Sequence, residues 1–236
     1  MIVQRPAAAR GHVQAGWLDS RHTFSFGSYY DPDWMGFGAL RVINEDRVDP
    51  GAGFSSHRHA NMEILSYVLS GALSHQDSSG GGGVVGPGEL QWMSAGHGVE
   101  HSEFNASETV PVHFLQIWLQ PDRVNAAPAY AQLAAAPDFP AAQWRLLASA
   151  DGADGSIAIR QDARLSSIGL PLDSAGEFEL DAERRYWLHL ARGSVQANGH
   201  VLHAGDALGI AGQAGPLRLN GMENSAAEVL LFDLPQ

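Results

Sequence analysis

The chain has no cysteine among its 236 residues. Disulfides and thiolate metal sites are therefore excluded, and any metal must take its donors from His, Asp, Glu or backbone carbonyls. Basic residues are scarce: 14 Lys and Arg against 26 Asp and Glu leave a formal net charge of -12, with no Lys/Arg block. A nucleic-acid backbone needs a basic face, so direct nucleic-acid binding is not expected, whereas a protein partner stays open. Long hydrophobic runs are absent as well. No segment approaches a membrane span, and the opening "MIVQRPAAARGHVQ" has no apolar stretch of signal-peptide length. A cytoplasmic location without membrane contact is expected. Helical periodicity is the last scarcity, and it turns attention to strands.

What is present is a core-forming composition, 44% hydrophobic and 17% charged, in one large domain or two small ones. "FGALRVINEDRV", "MEILSYVLSGALSHQD", "GELQWMSA" and "VHFLQIWLQ" are short, β-branched or aromatic, and bounded by Gly, Pro, Asn or Asp. Such segments predict an all-β sandwich or barrel. The run Ser78 to Gly83, "SSGGGG", reads as a hairpin tip or loop, because glycine loses too much backbone entropy for a regular element. Residues 126–145 are rich in Ala and Pro, with helix-permissive pieces such as Tyr130 to Ala135, and read as a connection between two β-rich halves. The halves echo one another. "LSYVLSGALSHQ" (Leu65 to Gln76) matches "WLHLARGSVQAN" (Trp187 to Asn198), and Gly88-Glu89 matches Gly205-Asp206.

Ligand-type residues cluster in the first half only. Side chains two apart on a strand share a face. His57, His59 and Glu63 in "HRHANME" thus point one way, and beyond the Gly-rich tip His101 and Glu103 form a second such pair. A lone His-x-His is often a surface pair. Two pairs facing one interior are different, since buried imidazoles and carboxylates are costly without a compensating ion. These donors suit Fe, Mn, Co, Ni, Cu or Zn. His57, His59 and His101 are the expected ligands with Glu103 as the fourth, and Glu63 remains the rival carboxylate by parity. His97 and Glu100 read as rim residues, His75 as solvated or at a pocket mouth, and His113 as a structural histidine. In the second half His189 stands alone, and His200 and His203 are three apart. If Gly88 matches Gly205, the counterpart of His101 falls near Arg218, so no metal is expected there.

The pattern Gly51-x5-His57-x-His59-x3-Glu63, ending at Gly71 and followed by His101, resembles the two motifs of the cupin superfamily. "HRHANMEILSYVLSGALSHQDSSG" and "QWMSAGHGVEHSE" resemble the pirin-type bicupins, and "FGSYYDPDWMGFGALRVINEDRV" resembles their bacterial branch with quercetin 2,3-dioxygenase activity. Ser94 stands where many cupins have proline. The resemblance implies two cupin barrels, each a double-stranded β-helix: residues 1–125 with the metal, residues 126–145 connecting, and residues 146–236 degenerate and metal-free. It implies one divalent transition metal, Fe(II) first among Fe, Mn, Co, Ni, Cu and Zn, on the positions of His57, His59, His101 and Glu103, and so favours Glu103 over Glu63. It further implies a dioxygenase that cleaves flavonols such as quercetin with release of carbon monoxide. Its partners would be a small aromatic substrate and dioxygen, with Glu103 taking the substrate's proton and Phe54, Met62 and Phe104 near the rings. Two alternatives remain: oxygenation of another chelating enol, or a redox-responsive regulator of the pirin kind that binds a protein partner.

Overall fold

Alternation of side chains sets the strands. In Val99–Asn105 the odd positions are buried and the even ones more open, and in Leu73–Asp77 the same rhythm holds. Glu63–Ser70 differs, being buried on both faces up to its last residue, as its near-continuous apolar run requires of a central strand. The computed structural model describes residues 1–222 and 226–236. Apart from two short 3-10 turns, Ala7–Ala9 and Ala153–Gly155, the regular elements among them are all strands. Among the described residues no helix is long and apolar enough to cross a membrane.

The chain forms two units, Gly11–Ala136 with Ile157–Gln161 and Met1–Arg10 with Pro137–Ser156 and Asp162–Gln236. In the first unit the larger sheet runs, in spatial order, Ala129–Leu133, Leu90–Ser94, Glu63–Ser70, Val112–Leu119, Leu40–Val48, Leu18–His22 and Gly11–Ala15. Its smaller sheet runs Gly53–His59, Val99–Asn105, Leu73–Asp77 and Gly82–Val85. The second unit repeats this plan. Arg185–Arg192 lies between Ala207–Ala211 and Ala227–Leu234, as Glu63–Ser70 lies between Leu90–Ser94 and Val112–Leu119. Its smaller sheet is Ala175–Leu180, Gly215–Gly221, Ser194–Ala197 and His200–His203. Each unit is a cupin barrel.

The turn inside the repeat shows why both copies keep a glycine. Gly71 and Gly193 each have φ +74°, a region L side chains rarely enter. A Cβ on Gly71 would lie 2.5 Å from the Pro111 carbonyl oxygen, and one on Gly193 2.3 Å from that of Ala226.

Three local expectations change. Residues 126–145 are more than a connection: Ala129–Leu133 pairs antiparallel with Leu90–Ser94, because a free sheet edge outweighs the weak helical preference of Tyr130 to Ala135. Gly82 and Gly83 open a strand paired with Leu73–Asp77, so the tip is shorter than the glycine run. At Gly82 the close approach is to backbone, since a Cβ there would lie 2.9 Å from the His75 carbonyl oxygen. Finally, the strands are not shared out linearly at the expected boundaries. Ile2–Arg5 pairs with Ala207 to Ile210 of the second unit, and Ile157–Gln161 belongs to the first.

Candidate metal centre

The first unit brings three of the expected residues together. Val99–Asn105 is flanked by Gly53–His59 and Leu73–Asp77, with His101 opposite His57 on one side and opposite Asp77 on the other. The donor atoms of His57, His59 and His101 lie within 4.8 Å of one another. His57 Nε2 and His101 Nε2 are 3.1 Å apart. His57 Nδ1 sits 2.8 Å from the Ser55 carbonyl oxygen. A carbonyl only accepts, so Nδ1 carries the proton and the Nε2 lone pair faces His101. Burial, with the neighbouring His57, lowers the pKa of His59 to about 4. Burial lowers His101 to about 4 as well, against the opposing pull of Glu103. Both rings are therefore neutral donors at pH 7.

This set fits a divalent cation. Two nitrogens bound cis to one ion at about 2.1 Å would be roughly 3.0 Å apart, close to the His57–His101 separation. The proton of His57 donated to a carbonyl is also the usual support of a ligating imidazole.

Glu103 belongs to a second grouping, with His101 and His75, in which donor atoms again lie within 4.8 Å. Its carboxylate is fully buried. Oε1 accepts from Ser66 Oγ at 3.1 Å and Gln91 Nε2 at 2.7 Å, and Oε2 accepts from Gln116 Nε2 at 2.8 Å. Burial alone would raise its pKa, but His75, His101 and the Ser66 hydroxyl hold it below the ordinary value. A carboxylate has about four lone-pair sites, so three bonds leave one for a cation.

Glu63 lies apart. It starts a new strand after the break at residues 60–62, so the parity that linked it to His59 does not hold. Its carboxylate accepts from Trp92 Nε1 at 2.8 Å, from Ser94 Oγ at 2.5 Å and from the Arg160 backbone N–H at 3.0 Å. Ser94, where many cupins have proline, supplies one of those donors.

His75 corrects the reading of a solvated residue. Its side chain is fully buried, with Nε2 3.3 Å from Asp77 Oδ2 and Nδ1 3.4 Å from His101 Nδ1. Tyr130 stacks on it at 5.0 Å. His97 is exposed at the rim, Glu100 pairs with Arg58 at 2.9 Å, and His113 hydrogen-bonds Glu45 at 2.9 Å.

A cavity of about 540 Å³ opens beside the histidines, within the usual range for small-molecule sites. Trp17, Phe26, Phe54 and Trp118 supply apolar faces, and Ser20, Asn44, Asp46 and Gln116 join His57 and His59 in its polar lining. Trp118 packs edge-on against His59 at 4.9 Å. Of the three apolar residues expected near the rings, Phe54 lines this cavity, Met62 lines a neighbouring cavity of about 320 Å³, and Phe104 points to solvent at 39% exposure. Sequence reasoning passed over Asp46, Gln91, Gln116 and Trp118. One signal was there: Asn44-Glu45-Asp46 are consecutive polar residues inside a strand, and all are buried.

In the second unit Arg218 pairs in register with Glu177, as His101 pairs with His57. The two form an exposed ion pair at 3.2 Å, while the inward neighbours Leu217 and Leu219 join an aliphatic core with Leu188, Leu190 and Val195.

Known proteins match this chain along its whole length. A family model described as Pirin matches residues 3–119, and one described as a quercetinase C-terminal cupin domain matches residues 146–234. Quercetin 2,3-dioxygenase of Escherichia coli K12 is 45% identical, over 100% of this chain and 99% of that protein. A pirin-like protein of Caulobacter vibrioides is 38% identical over 99% of each chain. The crystal structure of the E. coli pirin YhhW in complex with nickel(II) superposes with a TM-score of 0.92 at 45% identity, covering 100% of this chain and 99% of that one. Matched in both cupin barrels and over the full length of these relatives, the chain belongs to the pirin family.

Proposed function

We propose that the protein is a metal-dependent dioxygenase in which flavonols such as quercetin react with dioxygen, opening the heterocycle and releasing carbon monoxide. The observation that carries this reading is the aromatic-lined cavity whose wall includes His57 and His59. The name and full-length similarity of the E. coli relative support it. His57, His59, His101 and Glu103 would hold one divalent ion. Fe(II) is our first choice, and the nickel(II) of the E. coli pirin supports a divalent occupant of this donor class. Once bound, the ion would supply Lewis acidity that lowers the pKa of a chelating hydroxyl.

The protein's own groups do the rest. Trp17, Phe54 and Trp118 would hold the flat rings, with the 3-hydroxyl and 4-keto edge turned towards His57 and His59. Glu103, ionised at neutral pH because its neighbours hold its pKa down, has one acceptor site left, which would hold the ion and, once loosened from it, accept the proton of the 3-hydroxyl. The second barrel, with its aliphatic interior, would carry no ion.

The test is anaerobic loading with Fe, Mn, Co, Ni or Cu, followed by quercetin and oxygen with headspace measurement of carbon monoxide. Carbon monoxide release that disappears in His101→Ala is expected. Absence of turnover with all five metals would sink the reading.

A further inference from the structure

We propose that Asn44 and Asp46 determine specificity by accepting hydrogen bonds from substrate ring hydroxyls beyond the pair of oxygens that faces His57 and His59. The inference rests on the flavonol reading above and deepens it. One wall of the cavity is built from adjacent strands in fixed register: Ser20 opposite Asp46, His22 opposite Asn44, and Asn44 opposite Gln116. Asn44 and Asp46 are two apart on one strand, so both project from the same face, about 7 Å apart along it. Each is 2% exposed, and both line the cavity that contains His57 and His59.

Their hydrogen-bonding capacity is not used up within the protein. The Asn44 amide oxygen is buried and has no partner among the described residues. Such an orphan acceptor is costly; a half-turn of the Asn44 amide, which lines the cavity, would bring the oxygen to a guest's hydroxyl. Asp46 Oδ1 accepts from the Ser20 hydroxyl, which fixes the carboxyl and leaves further lone pairs. Burial pushes Asp46 up to about 7, with Glu103 and Glu45 adding and Ser20 opposing. Either protonation state accepts from a hydroxyl, so recognition does not depend on which one is present. Gln116, by contrast, has committed its Nε2 to Glu103. On the His59 side the orphan is a donor, Trp118 Nε1. The cavity wall thus carries Trp118 beside His59 and the acceptor-bearing Asn44 and Asp46 on Leu40–Val48, the strand paired with that of Trp118, a set complementary to a polyhydroxylated aromatic ketone.

The experiment compares quercetin with the parent 3-hydroxyflavone, which keeps the 3-hydroxyl and 4-keto pair and no other hydroxyl. Zn(II)-loaded protein, its metal content checked by elemental analysis, is titrated by calorimetry without oxygen. The wild type is expected to prefer quercetin by about tenfold or more. Asn44→Ala and Asp46→Leu should each lower that ratio several-fold by weakening quercetin alone. Asp46→Asn, which keeps an acceptor oxygen, should lower it less. Should Asp46→Leu not fold, Asn44→Ala and Asp46→Asn decide, and an unchanged ratio in both overturns the proposal. Wild type that binds both compounds equally overturns the proposal while leaving the flavonol reading standing. Wild type that binds neither overturns both.

Discussion

Gln116 Nε2 donates to Glu103 Oε2 at 2.8 Å, and this one bond ties the wall of the aromatic cavity to a buried carboxylate. Gln116 lines the cavity, while Glu103 lies behind it at 0% exposure. Whatever shifts the amide is felt by the carboxylate, because no solvent is at hand to replace the lost donor.

Gln116→Leu should therefore cost about 1–3 kcal/mol of folding stability in metal-free protein. Chemical denaturation measures it. Gln91→Leu, removing the 2.7 Å bond to Oε1, should cost a similar amount, and the double variant more than either.

The two histidines at about pKa 4 set an acid limit. In the folded, metal-free protein His59 and His101 stay neutral until the pH falls to about 4, whereas unfolded histidine protonates near 6.5. Between those values the unfolded state binds more protons, so stability rises with pH. The denaturation midpoint should fall as the pH drops from 6.5 towards 4. His59→Gln should flatten part of that slope.

Asp46 has the opposite sign. Its folded pKa of about 7 lies above the ordinary carboxylate value, so its contribution is fully present below about pH 4 and lost as the pH rises through 7. Asp46→Asn removes that loss. Its stability relative to wild type should improve by roughly 2–3 kcal/mol between pH 5 and pH 8, measured by urea denaturation at the two pH values.

Gly71→Ala and Gly193→Ala should each destabilise by about 2 kcal/mol or more. Both have φ +74°, and the added methyl meets a backbone carbonyl rather than a side chain that can turn aside. A drop in thermal midpoint in each variant checks this, and a neutral result at either position would contradict the close approach.

Period-two alternation made the histidine cluster legible, because His57 with His59 and His101 with Glu103 need only local geometry to share a face. The internal repeat was legible through Gly71 and Gly193 for the same reason. His75 was not. Its burial follows from lying opposite Glu103 in the sheet and beneath the Tyr130 ring, and neither neighbour is near it in sequence. Glu63 misled because parity assumes an unbroken strand, and the strand breaks at residues 60–62. The acceptors Asn44 and Asp46 stood in plain view, yet a polar run inside a strand does not say whether it faces water or a cavity. The four-residue strand Ile2–Arg5 carries no hint that its partner lies some two hundred positions away.

That pairing has a consequence for biosynthesis. A ribosome delivers Ile2–Arg5 some two hundred residues before Ala207–Ala211, so the earlier strand waits unpaired while everything between them is made. Contacts of such long sequence separation form slowly. The first barrel, whose strands lie almost entirely between residues 11 and 136, can close while the nascent chain is still growing. The second barrel cannot complete its larger sheet until Ala227–Leu234 has been made.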